Sequence, residues 1–186
     1  MDLWLIVVLV VVVILVLYLI GTFNRLVVLR NHVRTQWAQI SVALKRRADL
    51  IPNLVETVKG YAGHEKETLE AVISARSRAV SAKGMEEEMK AAGELSGALG
   101  RLMLLTENYP ELKANTNFLE LQKELTETEN KISYARQFYN DSVLKFRNMI
   151  EKFPSNIVAS MFNFKQSDAV FFEVSEADTK VPEVKF

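Results

Sequence analysis

The sequence predicts an all-α protein: an N-terminal transmembrane helix that continues into an antiparallel helical bundle of two long and two short helices, then a short strand-like tail. Three observations predict this. Leu3 to Ile20 is eighteen apolar residues without a charge. Beyond it, apolar residues recur in steps of three and four almost to Lys152, the signature of one helix face. The breaks in that pattern fall at Gly60 and Gly63, at Lys83-Gly84 and at Pro110. The implied parts are an anchor over 1–23, a helical bundle with a membrane-proximal stalk over 24–164, and a tail over 165–186.

With Gly21, Thr22 and Phe23 the first segment reaches twenty-one residues, about 31 Å as a helix, which matches the hydrocarbon thickness of a bilayer. Trp4 and Tyr18 lie near its ends, where aromatic rings favour the headgroup region. A cleaved signal would need a basic start and small residues at a cleavage site. The run has neither, so it reads as a permanent anchor. Asp2 precedes it, whereas Arg25, Arg30, Arg34, Lys45, Arg46 and Arg47 follow before the first acidic residue, Asp49. That bias predicts an outside amino terminus and a cytoplasmic bundle, with the basic collar able to lie against anionic lipids.

Past the anchor, Leu26, Leu29, Val33, Trp37, Ile40, Leu44, Ala48, Ile51 and Val55 form a stripe. Many repeat at eleven residues, which keeps the stripe nearly straight, as in a coiled coil. The anchor should therefore run on as one rod to about Lys59, kinked at Pro52 and ended by Gly60 and Gly63. A second helix is expected over about 65–82, with Leu69, Val72, Ile73, Arg76, Ala79 and Val80 on one side. A third spans about 85–108, through Met89, Ala92, Leu95, Leu99, Leu102 and Met103. Gly93, Gly97 and Gly100 weaken that helix, and close packing on a neighbour is the expected compensation. The fourth runs over about 117–152, with Phe118, Leu121, Leu125, Thr128, Ile132, Ala135, Tyr139, Val143, Phe146 and Ile150 inside.

Helix lengths and short connections set a register in which the two long helices face each other with residue numbers adding to about 176. Arg47 then falls opposite Glu129, with Arg46, Asp49 and Asn53 nearby and Arg136 lower down. Far from the membrane four helices share a core. Near it only two remain, and Leu26, Leu29, Val33, Trp37, Ile40, Val143, Phe146, Ile150 and Phe153 are expected to form a stalk too apolar for two helices to cover. Such a patch predicts self-association into a homo-oligomer, unless headgroups or the next segment cover it. That segment, 153–164, should make a short helix starting near Pro154. Ile157, Met161, Phe162 and Phe164 would dip into the membrane interface or a neighbour. Ala169 to Val174 is strand-like, and the rest of the tail is polar.

No chemistry is legible. All 23 Lys and Arg and all 23 Asp and Glu except Asp2 lie beyond the anchor, so that part is near neutral and nucleic acid is not an expected partner. The absence of Cys excludes disulfides and thiol catalysis. His64-Glu65-Lys66-Glu67-Thr68 opens like a zinc-protease helix, but Thr68 replaces the second His. His32 and His64 stand about 50 Å apart along a straight rod and cannot share a metal. No phosphate loop or nucleophile elbow occurs, and Glu86-Glu87-Glu88 suits a helix N-terminus. No cofactor and no catalytic residue is expected.

Several stretches resemble the LemA family of bacterial membrane proteins: NRLVVLRN at 24–31, VALKRRADLIPNLV at 42–55, YAGHE at 61–65 and YPELKAN at 109–115. Further matches are Asn117-Phe118, Leu121-Gln122, Glu129-Asn130-Lys131-Ile132, Ala135-Arg136, Tyr139-Asn140 and Phe153-Pro154. The resemblance runs from the anchor to about Phe164. It departs at Phe146-Arg147, where the family usually has Tyr-Asn. It departs again at Asn163-Phe164, where Gly-Phe is usual, which weighs against a tight glycine turn there. The resemblance implies a single-pass protein of the bacterial inner membrane with a cytoplasmic helical bundle and no established enzymatic activity. It also implies roles in magnetosome formation, or beside a membrane-bound metalloprotease in membrane protein quality control and envelope stress. By motif, it carries over Arg46, Arg47, Asp49, Pro52, Asn53, Glu129, Asn130, Arg136, Tyr139 and Asn140 as residues that hold the bundle and present a contact surface. The expected function is a membrane-anchored, non-enzymatic oligomeric scaffold or adaptor; the alternative is an accessory subunit or regulator of such a protease. Expected partners are membrane lipids, the protein itself and the metalloprotease.

Overall fold

The computed structural model describes residues 3–172 and is helical, with no strand among them. In chain order the helices are α1 (Leu3–Lys59), α2 (Lys66–Ser81), α3 (Met85–Thr106), α4 (Pro110–Lys113), α5 (Thr116–Glu151) and α6 (Ser155–Met161), followed by a 3-10 turn at Gln166–Asp168. The expected helices are found within a residue or two, the short α6 starting directly after Pro154. The single turn α4, which buries Leu112, was not foreseen. No sequence period can show in four residues. Residues 169–172 form no strand, and 173–186, including the rest of the strand-like stretch, lie outside the described residues.

Two compact units are distinguished. The first comprises α1 up to Gln36 together with Gln137–Phe171. Its apolar window is long enough to cross a membrane, and none of it is buried, as expected of a segment whose solvent is lipid. Beyond the window, Leu26, Val33, Val143 and Phe146 are fully buried, with Val158, Ala159 and Phe164 also inside. The chain after α5 therefore helps to cover the stalk, and the bare flank expected from two helices does not exist. Ile40, counted with that flank, is fully buried too, and Leu29, Trp37 and Ile150 are partly covered. Phe153 alone of the set stands out in the open, 80% exposed.

A tight reversal turns the chain back after α6. Asn163 N–H donates to Ser160 O at 3.2 Å and Phe164 N–H to Ala159 O at 2.9 Å, the paired bonds of a Schellman cap. Asn163 takes φ 58°, a left-handed conformation that Asn tolerates better than most side chains. A tight turn is therefore present without glycine. Phe164, expected to reach the membrane interface, is 7% exposed instead. It packs near Phe23 and Phe146, with the Arg30 guanidinium 4.9 Å above its ring.

The second unit comprises Trp37–Arg136 with Phe172. One core joins Ile51, Leu54 and Val58 of α1, Leu69, Val72 and Ala75 of α2, Leu95, Ala98 and Leu102 of α3, Leu112 of α4, and Phe118 and Leu125 of α5. A fully buried Leu or Ile contributes about 1.5–3 kcal/mol. On α2 the stripe is narrower than expected, because Ile73 and Val80 are exposed: both sit past its edge, with Ala75 taking the central place. The α3 glycines are also unlike the expectation. A Cβ added at Gly93, Gly97 or Gly100 would meet nothing within 4 Å, so they permit no close approach. Neither Gly60 nor Gly63 takes a positive φ where α1 ends; Gly84, ahead of α3, does so at 89°.

Pro52 lies inside α1 without stopping it. Lacking an N–H, it leaves the carbonyl four residues earlier, that of buried Ala48, without its helical donor. Arg76 of α2 supplies one: its Nε donates to Ala48 O at 2.8 Å.

Candidate functional site

Arg47 is the largest fully buried side chain among the described residues, at 1% exposure. It sits on the inner stripe of α1, beside Ala48 and one turn from Ile51, so helical phase alone carries it inward. A guanidinium cannot lose its charge there and must be surrounded by acceptors. Nη1 donates to Ser96 Oγ at 2.8 Å and to Glu129 Oε2 at 2.9 Å, and Nη2 donates to Ala92 O at 3.0 Å. One arginine thus links α1, α3 and α5. Its Nε has no hydrogen-bond partner. The Glu129 side chain is about half exposed, so water screens this pair more than a wholly buried one.

Arg47 lines two cavities. One, of about 350 Å³, is bounded by α1, α2 and α3 and includes Ser41, Lys45, Asp49 and Glu88; Ser41 Oγ donates to Glu88 at 2.7 Å. The other, of about 360 Å³, includes Ser96, Gly100, Gln122 and Glu129. Among the described residues no three His, Cys, Asp or Glu stand close enough to hold a metal.

Of the residues carried over by motif, the structure brings together Arg47 and Glu129. Arg46 reaches Glu124 at 4.0 Å with both side chains about half exposed, a contact worth little. Asp49, Pro52, Asn53 and Asn130 are exposed; Asp49 lies on the rim of the first cavity and Asn53 borders a separate depression with Glu56, Asn117 and Glu124. Arg136 lies 4.3 Å from the Phe172 ring centre, which also neighbours Trp37 at 6.0 Å.

In the other unit Tyr139 is fully buried and its hydroxyl donates to Val170 O at 2.6 Å. Burial pushes its pKa up to about 12, partly offset by the Arg147 charge. Asn140, its neighbour, is half-buried. Arg147 Nε donates to Ala169 O at 3.0 Å and its guanidinium lies over Phe171 at 4.7 Å. Residues 169–171 are therefore held by side chains of α5 rather than by a strand partner. Sequence reasoning missed the roles of Arg76, Ser96 and Arg147. Two of them gave a signal: Arg76 as a cation on the apolar side of α2, and Arg147 as a departure from the family pattern.

The family profile described as the LemA family matches residues 36–186. The chain belongs to the LemA family. The match leaves out the anchor and takes in the tail, whereas the motif resemblance runs from the anchor to about Phe164. Among similar proteins, magnetosome protein MamQ 2 of Paramagnetospirillum magneticum is 26% identical over 189 residues, covering 88% of this chain and 69% of the relative. Protein LemA of Metamycoplasma hominis is 26% identical over 162 residues, covering 86% and 72%. Magnetosome protein MamQ of Magnetospirillum gryphiswaldense is 25% identical, covering 88% and 69%. The long apolar helix of this LemA-family chain marks it as a single-pass membrane protein.

Proposed function

We propose that this LemA-family protein is a membrane-anchored, non-enzymatic scaffold that presents its helical head to membrane-protein partners on the cytoplasmic face of the inner membrane. The observation that carries the reading is the unbroken course of α1 from Leu3 to Lys59. The lipid-exposed window and the core positions Ile51, Leu54 and Val58 belong to one helix. A partner bound to the head is thereby tied to the bilayer through continuous helical chain. The basic collar from Arg25 to Arg47 supports a cytoplasmic head. The inward-turned polar groups support the non-enzymatic reading, since Arg47, Arg76 and Tyr139 are engaged in holding helices and carbonyls. Two relatives bear magnetosome names, in keeping with a task of organisation at a membrane. If copies associate, they do so elsewhere than through Leu26, Val33, Ile40, Val143 and Phe146, which a single chain already buries.

The test is capture of the tagged full chain from native membranes in nanodiscs, with particle mass measured on the same sample. Stoichiometric membrane-protein partners, or a defined oligomer, are expected. Co-capture of a metalloprotease would favour the accessory-subunit role. Particles of a single chain without partners would overturn the scaffold.

A further inference from the structure

Residues 153–164 contain no charged side chain, yet Lys152 and Lys165 flank them directly. The segment has two faces. Ser155, Val158 and Ala159 are buried, whereas Phe153, Ile157, Met161 and Phe162 are 80%, 55%, 61% and 47% exposed. Helical spacing of four puts Ile157 and Met161 on the same side of α6. Four large apolar side chains in water on so short a stretch make an unusual surface for a soluble unit.

Their location says what covers them. The Phe162 ring lies 4.7 Å from the ring of Phe23, the last residue of the apolar segment that crosses the bilayer. A helix of twenty-one residues ends at the boundary between acyl chains and headgroups, so Phe162 stands at that boundary too. Ile20, one turn before Phe23, is 52% exposed, so apolar surface of the span and of Phe162 lies open at the same end of the anchor. Lysines at either end of an uncharged apolar stretch suit phosphate groups just above the acyl chains. The Asn163 reversal holds α6 there by sending Phe164 inward.

We propose that α6 is a second membrane contact: Phe153, Ile157, Met161 and Phe162 enter the acyl–headgroup boundary of the leaflet from which Phe23 emerges, with Lys152 and Lys165 on its phosphates. This rests on the reading of Leu3 to Phe23 as a span. The protein then meets lipid at two points, and the lower end of α5 is fastened as well as α1. Phe164, grouped with these residues by sequence, is not part of the contact; Phe153, grouped with the stalk, is.

The chain has no cysteine, so single-cysteine variants can be labelled cleanly. The full-length protein, one copy per nanodisc with zwitterionic and anionic lipids, would carry an environment-sensitive fluorophore at Ile157→Cys or Met161→Cys. Ile14→Cys in the span and exposed Lys83→Cys serve as references. Labels at 157 and 161 are expected to emit at shorter wavelength than at 83. They should lose about half their emission to quenchers carried near the headgroup, the depth of an interfacial helix. The label at 14 should respond to quenchers deep in the acyl chains. Labels at 157 and 161 that respond only to aqueous quenchers, with 14 quenched by lipid, would overturn the contact and leave the span intact. Protection that appears only with several copies per disc would overturn it in favour of a chain–chain contact. A label at 14 that lipid does not quench would overturn both readings.

Discussion

Arg76 completes what Pro52 leaves undone: it donates from α2 to the Ala48 carbonyl that Pro52, four residues on, cannot serve. The proline is tolerated within a long helix because a neighbouring helix satisfies the freed acceptor. Arg76→Leu should therefore leave a buried carbonyl unpaired and destabilise the protein by about 1–3 kcal/mol. In a Pro52→Ala background the restored N–H takes over, and the same substitution should be milder. Thermal unfolding of the four proteins in detergent measures the coupling; equal effects in both backgrounds would refute it.

The buried end of the Arg47–Glu129 pair makes the two partners unequal. Glu129→Ala leaves a cation inside with two remaining acceptors and should be destabilising by about 2 kcal/mol, less than for a fully buried pair because water reaches the site. Arg47→Met removes the charge and keeps much of the volume, and should be milder than Arg47→Ala, which opens a cavity as well. The order of unfolding midpoints is the measurement.

Glycine contributes nothing visible to packing on α3. Gly93→Ala, Gly97→Ala and Gly100→Ala should each raise stability by up to about 1 kcal/mol, since the added methyl meets empty space. If the triple variant melts higher but loses its partners in the capture experiment, that face is a contact surface.

Asn163 holds a left-handed turn. Asn163→Gly should be neutral or slightly stabilising, whereas Asn163→Val should destabilise by about 1–2 kcal/mol. The second change should also loosen α6, read as faster amide exchange at Phe164.

Tyr139 makes stability fall in alkali. Its folded pKa, about 12, lies above its ordinary value of 10.0. The neutral hydroxyl therefore adds stability that is fully present below pH 10 and is lost as pH rises from 10 through 12. Tyr139→Phe should lose about 1 kcal/mol at neutral pH through the missing bond to Val170 and flatten that alkaline limb in a pH series of melts.

The helices were legible because a period of 3.6 is written in every turn of Leu26–Val55 and Phe118–Ile150, and the anchor because eighteen uncharged apolar residues have few other solvents. The register was legible from lengths alone, which is why Arg47 could be placed opposite Glu129. Ser96 and Ala92 could not be added to that pair, since the rotation of α3 about its own axis has no expression in sequence spacing. Nor could the stalk be judged. Its apolar residues looked bare because the segment after Glu151 could be read either as a neighbour of the membrane or as a cover, and spacing along the chain does not choose between the two.

The sequence by itself determined that one N-terminal stretch is long and apolar enough to cross a membrane, how many long helices the chain has and which way charge biases it, because hydropathy, periodicity and net charge are sums over neighbours along the chain. Only the tertiary structure decided which polar groups end inside and what covers the stalk. It also decided that Phe164 turns inward while Phe153 stays out. Those outcomes depend on contacts between residues far apart in the chain, such as Arg76 with Ala48 or Tyr139 with Val170, and such contacts are settled by packing in three dimensions.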